Sequence, residues 1–169
     1  MEIIGQRAKE ASKIMARLSQ VEKNRGLLAA AEELRKKTDY ILEENKKDVV
    51  AAIQSGMKQS LVDRLQLTKE RIDAMAVGLE QIAGLEDPVG EVLSMKTRPN
   101  GLRIGKKRVP LGVVGIIYES RPNVTADAFG LCFKTGNATI LRGGSDAIHS
   151  NKAVTVVIKD ALCKLKLPQ

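Results

Sequence analysis

The sequence predicts an α/β fold in which N-terminal helices precede a β-hairpin and then a βαβα unit of parallel sheet. Three observations support this prediction. Apolar residues recur at helical spacing through residues 1–86, and two runs of strand composition flank Pro99-Asn100-Gly101. Further along, two apolar runs starting near residues 112 and 138 are separated by a helical segment, which is the order of elements in a βαβ unit.

The first two helices are predicted from apolar stripes and one capping signal. Ser19 is expected to cap the second helix, because Glu22 follows it at the spacing of a capping box. The stripe of the first helix consists of Ile4, Ala8, Ala11, Met15 and Leu18. The stripe of the second consists of Leu27, Leu28, Ala31 and Leu34.

Two more helices complete the N-terminal half. The third is expected to begin near Thr38 or Asp39 and to stop at Gly56, and Thr68 is expected to cap the fourth. Their apolar positions are Ile41, Val49 and Ile53, and then Ile72, Met75, Ala76, Leu79 and Ile82. We expect the Lys and Glu residues of this half, such as those within Glu43–Asp48, to lie on solvated helix faces. This half offers no candidate catalytic group.

The second half contains the elements that could hold a ligand. Residues 91–98 and 102–109 are expected to pair as a hairpin across the Asn100-Gly101 turn. The βαβα unit follows, as strand Gly112–Ile117, loop Tyr118–Asn123, helix Val124–Lys134, strand Ala138–Leu141, loop Arg142–Ser145 and a helix from about Asp146. The first strand lacks polar alternation, which predicts burial on both faces. The last helix is expected to bury Ile148, Val154, Val157, Ile158, Leu162 and Leu165.

Charge points to a small anionic ligand at this unit. Residues 1–100 carry 17 Lys and Arg against 16 Asp and Glu, whereas residues 101–169 carry 11 against 4. The two loops follow parallel strands and so lie at one sheet edge, where α/β proteins bind ligands. A basic domain that binds RNA or acidic proteins is the alternative, although an aromatic content of 2% disfavours base stacking.

The run PLGVVGIIYESRPNVTADAFGLCFKTGNATILRGGSDAIHSN resembles γ-glutamyl phosphate reductase, a branch of the aldehyde dehydrogenase superfamily. ESRPNVT and LRGGSDAIHSN are the specific parts of this resemblance, and ENKKD and LVDRL extend it towards the N-terminus. The resemblance covers the whole chain but only the first part of the family's longer chain. It implies an incomplete aldehyde dehydrogenase-like, Rossmann-like fold.

The resemblance also implies an activity. The family reduces L-glutamate 5-phosphate to L-glutamate 5-semialdehyde and phosphate with NADPH, in proline biosynthesis. Residues 1–169 would be the N-terminal part of the cofactor-binding domain, divided into helices (1–86), a hairpin that helps to form a homo-oligomer (90–109) and a nucleotide-binding βαβα unit (110–169). The catalytic cysteine domain would be missing, so we expect the chain alone to be inactive.

Asn123 and Arg121 are the candidate catalytic and substrate-binding residues. The resemblance favours Asn123 as a donor to the developing oxyanion of the substrate, and the alternative is that it caps a helix starting at Val124. Arg121 could bind a carboxylate or an acyl phosphate bidentately. The alternative is a surface arginine that pairs with Glu119. Neither Glu119 nor Ser120 receives a role.

The second loop is the candidate cofactor site, formed by Arg142, Gly143, Gly144 and Ser145. The glycines would let the backbone approach a ligand. By resemblance, Arg142 would attract a 2′-phosphate and Ser145 would not repel one, which favours NADP(H) over NAD(H). A Gly-rich loop with a surface arginine is the alternative, and the ordinary G-x-G-x-x-G fingerprint is not present.

The remaining reactive residues are interpreted as structural. The family works through a cysteine thiolate, but neither Cys132 nor Cys163 matches the motif around it, and His149 has no cysteine partner in view. We expect no metal, no membrane span and no nucleic acid, and a cytoplasmic location with a functional link to glutamate 5-kinase. A nucleotide-binding module without catalysis stays open as an alternative.

Overall fold

A computed structural model describes residues 2–168, and its elements follow the predicted order. The helices are α1 (Glu2–Met15), α2 (Gln20–Lys36), α3 (Thr38–Gln54), α4 (Gln59–Leu65), α5 (Lys69–Gly84), α6 (Pro122–Lys134) and α7 (Ile148–Lys164). The strands are β1 (Val92–Thr97), β2 (Arg103–Lys107), β3 (Val113–Ile117) and β4 (Ala138–Arg142). A 3₁₀ turn, Ser145–Ala147, precedes α7.

The predicted caps are present at the starts of α2 and α5. The Ser19 hydroxyl accepts from the Glu22 amide at 3.3 Å, and the Glu22 carboxylate accepts from the Ser19 amide at 2.8 Å. The Glu22 carboxylate also accepts from the Ser19 hydroxyl, and its two bonds from the Ser19 hydroxyl and amide hold the pKa of Glu22 below its ordinary value. The Thr68 hydroxyl likewise accepts from the Arg71 amide. Both caps satisfy amides that an isolated helix would leave without partners.

One apolar core joins the N-terminal helices to α6 and α7. Its fully buried members come from distant parts of the chain and include Leu27, Leu34, Ile41, Ile72, Leu79 and Val154. Four predicted core positions are wrong, because Ile4, Leu28, Ile53 and Ile148 are 53%, 49%, 58% and 43% exposed. Each lies on its helix beside the buried stripe, where apolarity alone does not distinguish the edge of a stripe from its centre.

Two lysines are buried where α2, α5 and α6 meet. Lys23 forms a 2.5 Å ion pair with Asp87. The Lys134 ammonium donates to the side-chain oxygen of Asn24 at 2.8 Å and to the carbonyl of Ala83 at 2.9 Å. Burial lowers the pKa of Lys134. These bonds replace the water that a buried ammonium loses.

The hairpin forms as predicted and is exposed along both of its strands. β1 and β2 are antiparallel, with Met95 opposite Gly105. Gly101 adopts a φ of 82°, a conformation that favours glycine, and the Arg98 amide donates to the Leu102 carbonyl at 2.8 Å. The apolar side chains of the hairpin are therefore left in solvent, and they include Val92, Leu93, Met95, Leu102 and Ile104.

The βαβ connection is also confirmed, with β3 and β4 parallel and in register from Val113–Ala138 to Ile117–Arg142. The prediction that β3 is buried on both faces is wrong. Val113 is 38% exposed and Ile117 is 83% exposed. Within residues 2–168 this sheet has two strands, so most of the surface of β3 has no neighbouring layer to cover it.

The helix after β3 begins two residues earlier than predicted. Pro122 occupies its first position, where the fixed φ of proline suits a helix and its missing N–H is not needed. Asn123 therefore lies inside the first turn of α6 rather than at the end of the loop. Among residues 2–168, none of the helices combines the length and apolarity that a membrane span requires.

Candidate functional site

The loops that follow β3 and β4 meet at one edge of the parallel pair. The Tyr118 amide donates to the Arg142 carbonyl at 3.1 Å, which extends the pairing of the strands into the loops. The Ser120 hydroxyl donates to the Asp146 carboxylate at 3.2 Å. The sequence predicted that both loops lie at one edge of the sheet, and these two hydrogen bonds connect them.

Both glycines of the second loop are packed against the first loop and α7. A Cβ atom at Gly143 would lie 2.2 Å from the side-chain nitrogen of Asn151 and 3.0 Å from the ring of Tyr118. At Gly144 it would lie 2.3 Å from the hydroxyl oxygen and 3.0 Å from the amide nitrogen of Ser120. A side chain at either position would force the two loops apart.

A buried hydrogen-bond chain fixes the first loop to the helices. The hydroxyl groups of Tyr118 and Thr125 are 2.7 Å apart, and the Thr125 hydroxyl donates to the Asn151 side-chain oxygen at 3.1 Å. Because Thr125 uses its proton on Asn151, the Tyr118 phenol is the donor in the first bond. Burial raises the pKa of Tyr118, which favours the protonated form that this bond requires.

The N-terminus of α7 is occupied by a carboxylate from α3. Asp48 accepts from the amides of His149 at 3.1 Å and Ser150 at 2.7 Å, and from the Ser150 hydroxyl at 2.6 Å. Asn45 connects the same hydroxyl to the Leu65 carbonyl, with both bonds at 2.9 Å. Asn45 and Asp48 are buried, whereas Glu43, Lys46 and Lys47 of the same run are exposed, as predicted for its Lys and Glu residues.

This occupation restricts where a phosphate could bind. Free amides at a helix N-terminus are a common phosphate site in nucleotide-binding folds, but at α7 two of them already bind Asp48. Arg142 ends β4 and Ser145 begins the 3₁₀ turn, and both are exposed. A phosphate at this edge therefore fits the Arg142 guanidinium and the Ser145 hydroxyl better than the end of the helix.

Arg121 and Asn123 lie on a different surface, in a cleft of about 620 Å³ between α6 and the α4–α5 corner. Its lining consists of Arg64, Leu67, Arg71, Ala74, Met75, Arg121, Asn123 and Asp127. Arg142, Gly143, Gly144 and Ser145 do not line it. The predicted residues therefore form two groups, one at the sheet edge and one in this cleft.

Within the cleft, Asn123 departs from its alternative role as a helix cap, whereas Arg121 contacts Glu119 as its alternative predicted. Asn123 does not cap α6, since the helix starts before it, and its amide instead donates to Asp127 at 3.3 Å. Arg121 occupies the N-cap position without a side-chain capping bond, and its guanidinium lies 3.5 Å from the Glu119 carboxylate. Both partners of that pair are exposed, so the attraction between them is weak.

The cleft also contains residues that sequence reasoning missed. Arg64 lies in the last turn of α4 and Arg71 in the first turn of α5. The chain gives no local signal for them, because each looks like an ordinary charge on a helix surface. Their placement beside Arg121 and Asn123 depends on how α5 packs against α6, and that packing joins residues about 50 positions apart.

The cysteines and the histidine do not join either group. Cys132 is buried in α6 and Cys163 is exposed on α7. The His149 ring contacts Glu44, with 3.6 Å between Nδ1 and the carboxylate. In the described part of the chain, no three His, Cys, Asp or Glu residues are grouped so that they could hold a metal ion.

Comparison with known proteins identifies relatives of the whole chain. The γ-glutamyl phosphate reductase of Clostridium perfringens (strain ATCC 13124) is 57% identical over 167 residues, which are 99% of this chain and 40% of that protein. The chain thus spans about two fifths of the length of the curated relatives it matches. No protein-family model matches it.

Solved structures that resemble this chain also include γ-glutamyl phosphate reductases. A crystal structure of γ-glutamyl phosphate reductase from Thermotoga maritima superposes with a TM-score of 0.94 at 47% identity, covering 96% of this chain and 39% of that one. A probable aldehyde dehydrogenase from Listeria monocytogenes shares the fold, with a TM-score of 0.68 at 16% identity over 97% of this chain and 33% of its own. Over its whole length, the chain is therefore homologous to the γ-glutamyl phosphate reductases, with an aldehyde dehydrogenase-like fold, and its extent is consistent with their N-terminal part.

Proposed function

We propose that this chain contributes the cofactor edge and part of the substrate cleft to an NADPH-dependent reduction of L-glutamate 5-phosphate to L-glutamate 5-semialdehyde and phosphate. That reaction belongs to proline biosynthesis in the cytoplasm, after a glutamate 5-kinase has formed the acyl phosphate. The observation that carries the proposal is the sheet edge, where Arg142 and Ser145 are exposed beside two interlocked loops.

At this edge the chain's residues fit a phosphorylated dinucleotide. The Arg142 guanidinium would bind the 2′-phosphate through charge-assisted hydrogen bonds, and the Ser145 hydroxyl could donate to it. Gly143 and Gly144 would hold this loop in place through their contacts with Tyr118 and Ser120. NADPH, when bound, supplies the hydride that reduces the acyl carbon.

In the cleft, Asn123 and Arg121 would bind the reacting end of the substrate. The Asn123 amide would donate to the acyl oxygen, where negative charge develops during acyl transfer. The Arg121 guanidinium would neutralise part of the charge on the acyl phosphate. Both side chains are exposed at the start of α6, where a ligand can reach them.

We propose further that these 169 residues alone do not turn over the substrate. The family resemblance implies a cysteine nucleophile, and neither cysteine of this chain is suited to that role. Cys132 is buried in α6, and Cys163 lies on the outer surface of α7. NADPH oxidation that requires both the purified chain and L-glutamate 5-phosphate would contradict this part of the proposal.

Titration with NADPH and NADH, followed by nicotinamide fluorescence, tests the cofactor proposal. We expect saturable binding that prefers NADPH, and Arg142→Ala should weaken NADPH binding about tenfold or more, because it removes a charged hydrogen-bond donor. Arg25→Ala on α2 removes an exposed arginine elsewhere and serves as the control. Equal affinity for both nucleotides, or no effect of Arg142→Ala, would contradict the proposal. Binding to RNA that NADPH does not displace would favour the alternative of a basic interaction domain.

A further inference from the structure

The cleft beside α6 contains charges of both signs. Three arginines line it, Arg64, Arg71 and Arg121, together with one carboxylate, Asp127. Its volume of about 620 Å³ is within the range of small-molecule sites. A site for phosphate alone gains nothing from a carboxylate, which repels the anion. The pattern instead complements a ligand that has an anionic and a cationic group close together.

The cleft lies where α5 packs against the first half of α6, with Ala74 and Met75 of α5 among its lining residues. Near the end of α6 the helices touch, and a Cβ atom at Gly130 would lie 2.6 Å from Leu79 and 2.9 Å from Ile82. Towards the start of α6, the residue of α5 opposite Asp127 is Gly78, where a Cβ atom would lie 3.8 Å from the Asp127 carboxylate. Asp127 therefore lies between α5 and the cleft, as one of its lining residues.

Arg71 is held in position by the chain itself. Its Nη1 group donates to the carbonyls of Asp63 and Gln66 at the end of α4. A guanidinium has five N–H donors, so this anchoring leaves Nε and Nη2 to bind a ligand. Arg64 is exposed in the last turn of α4 and lines the same cleft. Two guanidinium groups from one helix corner can bind a single carboxylate.

Asp127 has a hydrogen-bond donor but no cationic partner within 4 Å in the described residues. Its recorded side-chain contact is with the Asn123 amide at 3.3 Å. Partial burial raises the pKa of Asp127, and the bond to Asn123 opposes that rise. A carboxylate that has lost part of its hydration gains from an ammonium ion placed beside it.

We propose that this cleft recognises the α-amino acid end of the substrate, with Arg64 and Arg71 binding its α-carboxylate and Asp127 binding its α-ammonium group. This inference rests on the proposed function, since it assigns the other end of the same substrate from the one that Arg121 and Asn123 would bind. It names Arg64, Arg71 and Asp127 as residues that select an amino acid over a simple dicarboxylic acid.

The test is an NMR titration of the isotope-labelled chain with L-glutamate and with glutarate, which lacks the ammonium group. L-Glutamate should bind more tightly than glutarate and shift the resonances of residues around Asp127. Arg64→Ala should weaken the binding of both ligands about tenfold. Asp127→Asn should weaken L-glutamate binding by a similar factor but should not weaken glutarate binding, because glutarate has no ammonium group and is repelled by the Asp127 carboxylate. Arg25→Ala is the matched control for the loss of an exposed arginine.

The outcomes separate this inference from the proposed function. Lack of saturable L-glutamate binding in a chain that binds NADPH would overturn the inference alone, whereas loss of both would also remove the proposed function. Equal affinity for L-glutamate and glutarate would likewise overturn it. Because Arg64 and Asp127 are exposed, both variants are expected to fold, and an unchanged melting temperature and retained NADPH binding verify that.

Discussion

Asp48 connects the helical half of the chain to the nucleotide-binding half through one carboxylate. It binds amides of α7 that are 101 and 102 positions further along the sequence. By closing the start of α7 it removes a phosphate site that many nucleotide-binding folds use. At the proposed cofactor edge, Arg142 and Ser145 are then the exposed side chains that could bind a phosphate.

The close contact of Gly144 with Ser120 predicts that a substitution at this position destabilises the fold. Gly144→Ala would place a methyl group against the hydroxyl and backbone of Ser120, so the two loops must separate. We expect the free energy of unfolding to fall by about 1–3 kcal/mol, the usual cost of overpacking, and urea denaturation measures it.

Gly115→Ala is the control for this prediction. Gly115 lies in β3 of the same unit, and a Cβ atom there would meet nothing within 4 Å. We expect a change within about 0.5 kcal/mol for that variant, as for most surface substitutions. An equal fall in the free energy of unfolding for Gly144→Ala and Gly115→Ala would show that contact between the loops is not the reason why residue 144 must be glycine.

Among the elements, those with local signals were predicted well. The Ser19–Glu22 capping box, the Thr68 cap and the Asn100-Gly101 turn each depend on residues close in sequence, and all three form. The start of α6 was placed two residues late, because Pro122 was assigned to a loop although proline is favoured in the first turn of a helix.

The hairpin exposes apolar side chains that a second protein surface could cover. Leu102 and Ile104 are two residues apart on one face, and both are about half exposed. We expect the chain to self-associate through this hairpin, as the family resemblance implies. Because each side chain is already about half buried, covering the rest contributes on the order of 1 kcal/mol per residue, so the double variant Leu102→Lys/Ile104→Lys should weaken association more than about tenfold.

Sedimentation velocity over a range of protein concentrations measures this association. Val21→Lys, which also charges an exposed apolar position but on α2, is the control and should leave association unchanged. A wild-type chain that stays monomeric throughout, or a double variant that associates like the wild type, would contradict the assignment.

At the scale of the whole molecule, the sequence predicted the order of elements and the shared loop edge but not the contacts between the two halves. Arg64 and Arg71 have no local signal that separates them from solvated charges, and Asp48 looks like part of a solvated helix face. Their roles depend on packing across more than 50 residues. The exposure of β3 was not predicted either. It depends on how many strands and helices lie beside β3, and the residues of the strand itself do not determine that number.

The central claim is that NADPH binds at the edge formed by the loops after β3 and β4. The most direct measurement is the change in assigned amide NMR resonances of the 18.4 kDa chain when NADPH is added. We expect the largest shifts at residues 142–145 and 118–120, smaller shifts with NADH, and none in the hairpin. Shifts centred on another surface, or no shifts at saturating NADPH, would contradict the claim.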